Sequence, residues 1–243
     1  MSPYTIPILR LRQMLGRELT NKIEMDCELF RTGGWIFSPI GINSSSVVFS
    51  LGVAHDFRFD KGMIDNFACH VHAFDATPGW IDWISAHYSS PEFRAYPYAI
   101  GTEKSAIQRN TQFETKESTA SAWVPLFDKF TGDNHAPAMP AKSISAVMSE
   151  IGVDTIDLLK LDIGAAAYDV IDDILESGIP VYQLLVVFSH TAKNVPIEKT
   201  KEALAKLSAA GYRIFHIGER YRKFSFIHEE SYRPLFNESL KLP

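Results

Sequence analysis

The stretch Val47-Val48-Phe49-Ser50-Leu51-Gly52-Val53-Ala54-His55-Asp56 is followed by Val71-His72-Ala73-Phe74-Asp75. Val47 to Leu51 is a short apolar run rich in β-branched residues, and Asn43-Ser44-Ser45-Ser46 before it form a turn signal. That combination reads as a fully buried parallel strand. Gly52 then allows a sharp turn and a close backbone approach to a ligand, since it has no Cβ. The second strand ends in Asp75, an acid able to accept hydrogen bonds from two vicinal ribose hydroxyls. A strand closed by a glycine turn beside a strand closed by an acid is how an α/β sheet holds a nucleotide-like cofactor, in the crevice outside its carboxyl ends.

The rest of the chain alternates strands and helices, so the expected fold is α/β, a doubly wound and mostly parallel sheet with helices on both faces. Helices are predicted over Pro7–Leu29, Phe59–Phe67, Gly79–His87, Ser143–Ile151, Tyr168–Glu176 and Glu198–Ala210. Strands are predicted over Arg94–Ile100, Ile156–Leu161 and Val181–Phe188, with Tyr212–Ile217 and Lys223–His228 as a closing pair. The domain reading is an N-terminal helical cover over 1–35 and a Rossmann-like domain over 36–243. Within the latter, the polar, Pro- and Gly-containing segment 105–141 is an insertion too long for a bare connection.

Composition narrows the partners. The chain has 243 residues, 46% hydrophobic and 22% charged, which suits a globular protein with a sizeable core. A net charge of -5 argues against nucleic acid as the main partner. The basic residues Arg213, Arg220, Arg222 and Lys223 read as a solvated face beside a late strand. Cys27 and Cys69 are far apart and lack metal-ligand spacing, so neither a disulfide framework nor a zinc site is expected. With no membrane-length apolar run and no signal-peptide core, the expectation is a cytoplasmic protein with no membrane partner.

Three pieces, in this order and spacing, resemble the FkbM-type methyltransferases, which use S-adenosylmethionine. They are Val47 to Val53 with Asp56, then Phe74-Asp75-Ala76-Thr77-Pro78, then Asp157-Leu158-Leu159-Lys160-Leu161-Asp162-Ile163. The likeness runs from about residue 33 to residue 228, nearly the whole chain. It implies a seven-stranded class I methyltransferase sheet with the last strand antiparallel, and methyl transfer to an oxygen of a small molecule or sugar. The cofactor-binding residues it implies are Gly52, Val53, Ala54, Asp56, Asp75, Ala76, Thr77, Ile100 and Asp162.

The chain also departs from the family. Where members read Asp-Ile-Glu-Gly-Ala-Glu, this sequence has Asp162-Ile163-Gly164-Ala165-Ala166-Ala167, and Val187 stands where the fifth strand would carry an acid. Hard divalent cations need several oxygen ligands, so no metal is expected. Asp162 and His190 remain as catalytic candidates, to act as base on a hydroxyl. Asp162 could instead cap the helix that follows it, and His190 could be a hydrogen-bonded strand-end histidine.

Other residues carry less. His55 reads as a loop residue near the ligand, and His70 and His72 as structural. Trp80, Trp83 and Tyr88 read as packing residues, with Trp80 close enough to Asp75 to edge an adenine pocket. The Gly33-Gly34-Trp35 turn could fold over the cofactor. Two further functions share the strand-turn-strand logic: a catalytically impaired cofactor-binding protein with a regulatory or assembly role, and a nicotinamide-dependent oxidoreductase. The latter lacks the three-glycine turn and leaves the later motifs unexplained.

Overall fold

The computed structural model describes residues 18–53, 56–77, 79–101, 141–192, 195–218 and 222–231. In chain order the elements are β1 (Phe30–Thr32), β2 (Trp35–Phe37), β3 (Val47–Leu51), α1 (Arg58–Phe67), β4 (His70–Phe74), α2 (Trp80–His87), β5 (Phe93–Tyr96) and β6 (Ala99–Ile100). They continue as β7 (Ala141–Lys142), α3 (Ile144–Ile151), β8 (Ile156–Leu161), α4 (Ala166–Glu176), β9 (Val181–Val187), α5 (Ile197–Ala209), β10 (Tyr212–Ile217) and β11 (Lys223–His228).

Seven strands make the central sheet in the order β10-β11-β9-β8-β3-β4-β5. Neighbours from β9 to β5 pair in parallel, and the last strand, β11, is antiparallel to both β9 and β10. This is the doubly wound, mostly parallel sheet expected from the sequence. The chain moves outward from β3 through β4 to β5, then returns to β8 on the other side. The reversal of direction between β3 and β8 is the topological switch point where such sheets bind ligands.

Each face of the sheet has its own core. On one, Phe49, Leu51, Leu159, Leu161 and Leu184 pack with Val147 of α3, Ile171 of α4 and Leu204 of α5. On the other, Val48, Val71, Leu158 and Leu185 pack with Phe59 and Met63 of α1 and with Trp35 and Phe37 of the β1–β2 hairpin. The hairpin is tied down by Gln183, whose side chain accepts from Ser38 N at 2.9 Å and donates to Ser38 O at 2.8 Å. Asp157 Oδ2 accepts from Val47 N at 2.7 Å, bonding β8 to the start of β3.

Two expectations change. Residues 18–29 are not helical, and the remainder of the predicted Pro7–Leu29 helix lies outside the described residues. This segment runs beside β10 at the edge of the sheet, where Glu24 N and Met25 N donate to Ile214 O and Glu24 Oε2 accepts from Ile214 N. An edge strand has unpaired backbone groups, and here they claim the passing chain. The predicted strand Arg94–Ile100 is two strands. Pro97 has no N–H for the ladder, so β5 ends at Tyr96 and β6 pairs instead with β7, in parallel. The proposed insertion 105–141 lies outside the described residues except for Ala141. Among the described residues no helix is long and apolar enough to cross a membrane.

His72 sits in the sheet on β4, 9% exposed, with Nδ1 3.0 Å from the Tyr96 hydroxyl. Burial, helped by the charges of His70 and Arg94, lowers its pKa to about 4 from the ordinary imidazole value of about 6.5. The unfolded chain therefore binds this proton between those two pH values and the folded chain does not. Stability should rise as pH increases through that window and be unaffected by His72 above it. The folding free energy of the parent minus that of His72→Phe, followed by urea unfolding from pH 4 to 7, should show a slope on the order of 2 kcal/mol across the window. A pH-independent difference would show that the imidazole is not buried neutral.

Candidate functional site

The strand registers line up a set of side chains along the carboxyl edge. Leu51 of β3 pairs with both Phe74 of β4 and Leu161 of β8, and the ladder continues one residue further. Gly52 N donates to Phe74 O at 2.9 Å, Asp162 N to Leu51 O at 3.0 Å, and Asp75 N to Tyr96 O at 3.2 Å. Asp162, Gly52 and Asp75 thus stand side by side. On the far side of Asp162, Leu161 pairs with Val186, and the next residue, Val187, pairs with Lys223. The row reads Lys223, Val187, Asp162, Gly52, Asp75.

Gly52 is required by the protein itself. Its φ is +78°, and a Cβ built there would lie 2.2 Å from the Asp162 carbonyl oxygen. The close approach that glycine permits here is between the ends of β3 and β8. The next residue, Val53, buries its side chain, so only its backbone is offered to the crevice.

Asp75 is 7% exposed and accepts from Thr77 N through Oδ1 at 2.8 Å. That bond fixes the carboxylate at the strand end with Ala76 and Thr77 half-buried beside it. Trp80 N donates to Thr77 O at 3.3 Å, so α2 begins directly from this turn. Trp80 meets Trp83 edge to face at 6.2 Å, while Trp83 is 40% exposed and stacks on His87. Trp83 also packs edge to face on Phe57 at 6.1 Å, so it is a packing residue with an exposed side. Tyr88 packs between Phe57 and Phe93.

The remaining cofactor candidates divide. Asp56 is held by Arg58 through two bonds of 2.7 Å, so both of its oxygens are engaged. Ile100 is buried in β6, outside the main sheet. Ala54, His55, Pro78 and Arg220 lie outside the described residues.

Of the two catalytic candidates, Asp162 is exposed at the crevice. It does not cap the following helix: the N-cap is Ala165, with no side-chain bond. His190 lies past the end of β9 with its side chain 2% exposed and Nε2 3.6 Å from Glu18 Oε1. The structure brings Asp162 into the row with Gly52 and Asp75 and places His190 in a buried contact with the N-terminal segment.

Lys160 was not picked out from the sequence, and Lys223 was read there only as part of a solvated basic face. Lys223 Nζ donates to Gly34 O at 3.0 Å and lies 4.3 Å from the Trp35 ring centroid. Burial lowers the Lys223 pKa, and the charge of Asp162 works in the opposite direction. The basic cluster read from the sequence therefore divides. Arg213 pairs with Glu229 at 3.1 Å near the start of β10, while Lys223 joins the functional row. The Gly33–Gly34 turn rests on α1, where a Cβ on Gly33 would lie 2.2 Å from Phe59 N, and its Gly34 O accepts from Lys223.

Both cysteines are free, and burial raises their pKa values, to about 11 for Cys27 and about 12 for Cys69, so neither is a thiolate near neutrality. A cavity of about 280 Å³ beside Asn21, Lys201, Leu204 and Tyr212 lies away from the row.

No protein-family model matches the chain, and no curated protein matches it. Among solved structures, a Methanococcus jannaschii fibrillarin pre-rRNA processing protein is similar at 13% identity, with 87% of this chain and 86% of that chain covered and a TM-score of 0.45. Aeropyrum pernix fibrillarin, solved with natively bound S-adenosyl-L-methionine, is similar at 11% identity over 85% and 83% of the two chains, TM-score 0.40. M. capricolum TrmK, solved with S-adenosyl-homocysteine, gives 12% over 77% and 62%, TM-score 0.38. At these values the likeness adds nothing to what the strand order already shows.

Gly52→Ala combines a left-handed backbone with a clash against a carbonyl that belongs to the sheet. Chemical denaturation should show a loss of at least about 2–4 kcal/mol. A loss below about 1 kcal/mol would mean that the ends of β3 and β8 are free to separate.

Proposed function

We propose that this chain is an S-adenosylmethionine-dependent methyltransferase of the FkbM type, acting on an oxygen of a small molecule or sugar. The observation that carries this reading is the row itself. A buried ribose-type acid, a glycine turn and an exposed carboxylate occupy consecutive positions across the switch point of a doubly wound sheet.

The residues fit the cofactor in order. Asp75 would accept from the ribose hydroxyls, its orientation already set by Thr77 N. Trp80 stands where an adenine edge would lie, and the Gly52–Val53 backbone faces the methionine part. When bound, the cofactor supplies a methyl group on a sulfonium, open to in-line displacement. The work left to the protein is to hold the acceptor in line and take its proton.

Asp162 is the proposed proton acceptor. It is the exposed carboxylate in the row, next to the glycine turn. His190, the other candidate from the sequence, has a buried side chain with Nε2 3.6 Å from Glu18 Oε1 and takes a packing role in this reading. The replaced family acids are consistent with chemistry that uses no metal. Val187 separates Asp162 from Lys223, a Cβ on Gly164 would meet Ser189 Oγ at 4.0 Å, and Ala167 is fully buried.

Those same replacements favour a second reading, a cofactor-binding protein that has lost catalysis. It differs by predicting cofactor binding without methyl release onto any acceptor in a broad screen.

Titration calorimetry with S-adenosylhomocysteine tests the binding half. Asp75→Ala should cost about 2–3 kcal/mol, since two charge-assisted bonds are lost. Affinity equal to the parent would remove the ribose assignment.

The catalytic half is tested by turnover. Asp162→Asn should lower it about 10²–10⁴-fold while leaving cofactor affinity within about twofold of the parent. Full turnover in this variant would eliminate Asp162 as the base.

A further inference from the structure

Two residues before Asp162, on the same face of β8, Lys160 is 2% exposed. A buried ammonium persists only where it is paired and hydrogen-bonded. Its Nζ donates to Gly52 O at 3.2 Å and to Ser50 Oγ at 3.3 Å, and lies 5.3 Å from the Trp35 ring and 5.9 Å from the Phe59 ring. The facing acid is Asp60, in the first turn of α1 and 0% exposed. Neither Asp60 oxygen makes a hydrogen bond of normal length. Burial raises its pKa, opposed by the Lys160 charge and the Ser50 hydroxyl.

For stability alone, such a pair is a poor choice, because apolar residues of similar volume do as well or better. What an apolar pair could not do is bond the Gly52 carbonyl. A trans peptide is planar with its C=O and N–H on opposite sides. Holding the Gly52 carbonyl inward, toward Lys160, turns the Val53 N–H outward. Among the described residues that N–H has no backbone acceptor.

We propose that Lys160 is a positioning residue: by anchoring the Gly52 carbonyl it aims the Val53 N–H into the crevice as a donor to the carboxylate end of the cofactor. The identity of that ligand rests on the methyltransferase reading. The anchoring of the turn does not.

The experiment compares two ligands that differ in the carboxylate. S-adenosylhomocysteine has the amino-acid part, and methylthioadenosine lacks it. Because Lys160→Met leaves Asp60 alone in the core and can fail to fold, the working variant is Lys160→Met with Asp60→Asn, its fold checked by thermal melting. Calorimetry should show S-adenosylhomocysteine weakened about tenfold or more, with methylthioadenosine unchanged. A merely structural role would weaken both equally or neither, and either result overturns the proposal. Amide hydrogen exchange at residues 51–53 in the ligand-free protein provides an independent readout. It should be faster in the double variant, and unchanged protection overturns the anchoring. If the parent binds neither ligand, the methyltransferase reading fails, and the exchange measurement alone decides whether Lys160 holds the turn.

Discussion

The parallel pairing of β3 with β4 on one side and β8 on the other is the constraint from which the crevice follows. Because both ladders run one residue beyond the strands, Gly52 is bonded to the β4 end and Asp162 to the β3 end. A parallel sheet sets neighbouring strands about 4.8 Å apart, so three consecutive strand ends are held on a spacing that loops alone could not maintain. The polar groups there inherit the rigidity of a core with an apolar layer on each face.

That rigidity comes with a cost at the centre. Lys160 and Asp60 place two charged residue types inside the core, at 2% and 0% exposure. The aromatic rings of Trp35 and Phe59 border the ammonium, and Trp35 is itself placed by the β1–β2 hairpin, which β11 holds through Ser225 Oγ donating to Ile36 O. The hairpin belongs to the support of the row, through Trp35 below and Lys223 at its edge.

The charges along the row form a gradient of function. At one end Asp75 is buried, oriented by a backbone amide, and suited to neutral hydroxyl donors. In the middle the backbone of the glycine turn takes over. At the other end Asp162 and Lys223 bring opposite charges to either side of Val187. Val187 leaves an apolar residue between a carboxylate and a lysine side chain. That is a different surface from one lined by the acids the FkbM resemblance leads one to expect.

Much of the fold was legible in the sequence because local signals and tertiary demands agree there. β8, β10 and β11 match their predicted bounds, since runs of buried and half-buried residues between turn signals have few other solutions. Gly52 and Asp75 were legible for the same reason: a glycine and an acid at the ends of apolar strands are visible one residue at a time. The sequence alone could not show that residues 18–29 follow an edge strand instead of coiling, because their partner, Ile214, lies far along the chain. Nor could it show that the His190 side chain is buried against Glu18, which arrives from the N-terminal side. Lys160 reads as one polar letter in an apolar strand, and its meaning comes from Ser50, Gly52 and Asp60. Composition and periodicity determine which segments pair and bury. The roles of the buried charges are decided by contacts between residues about a hundred positions apart, and those exist only in the folded sheet.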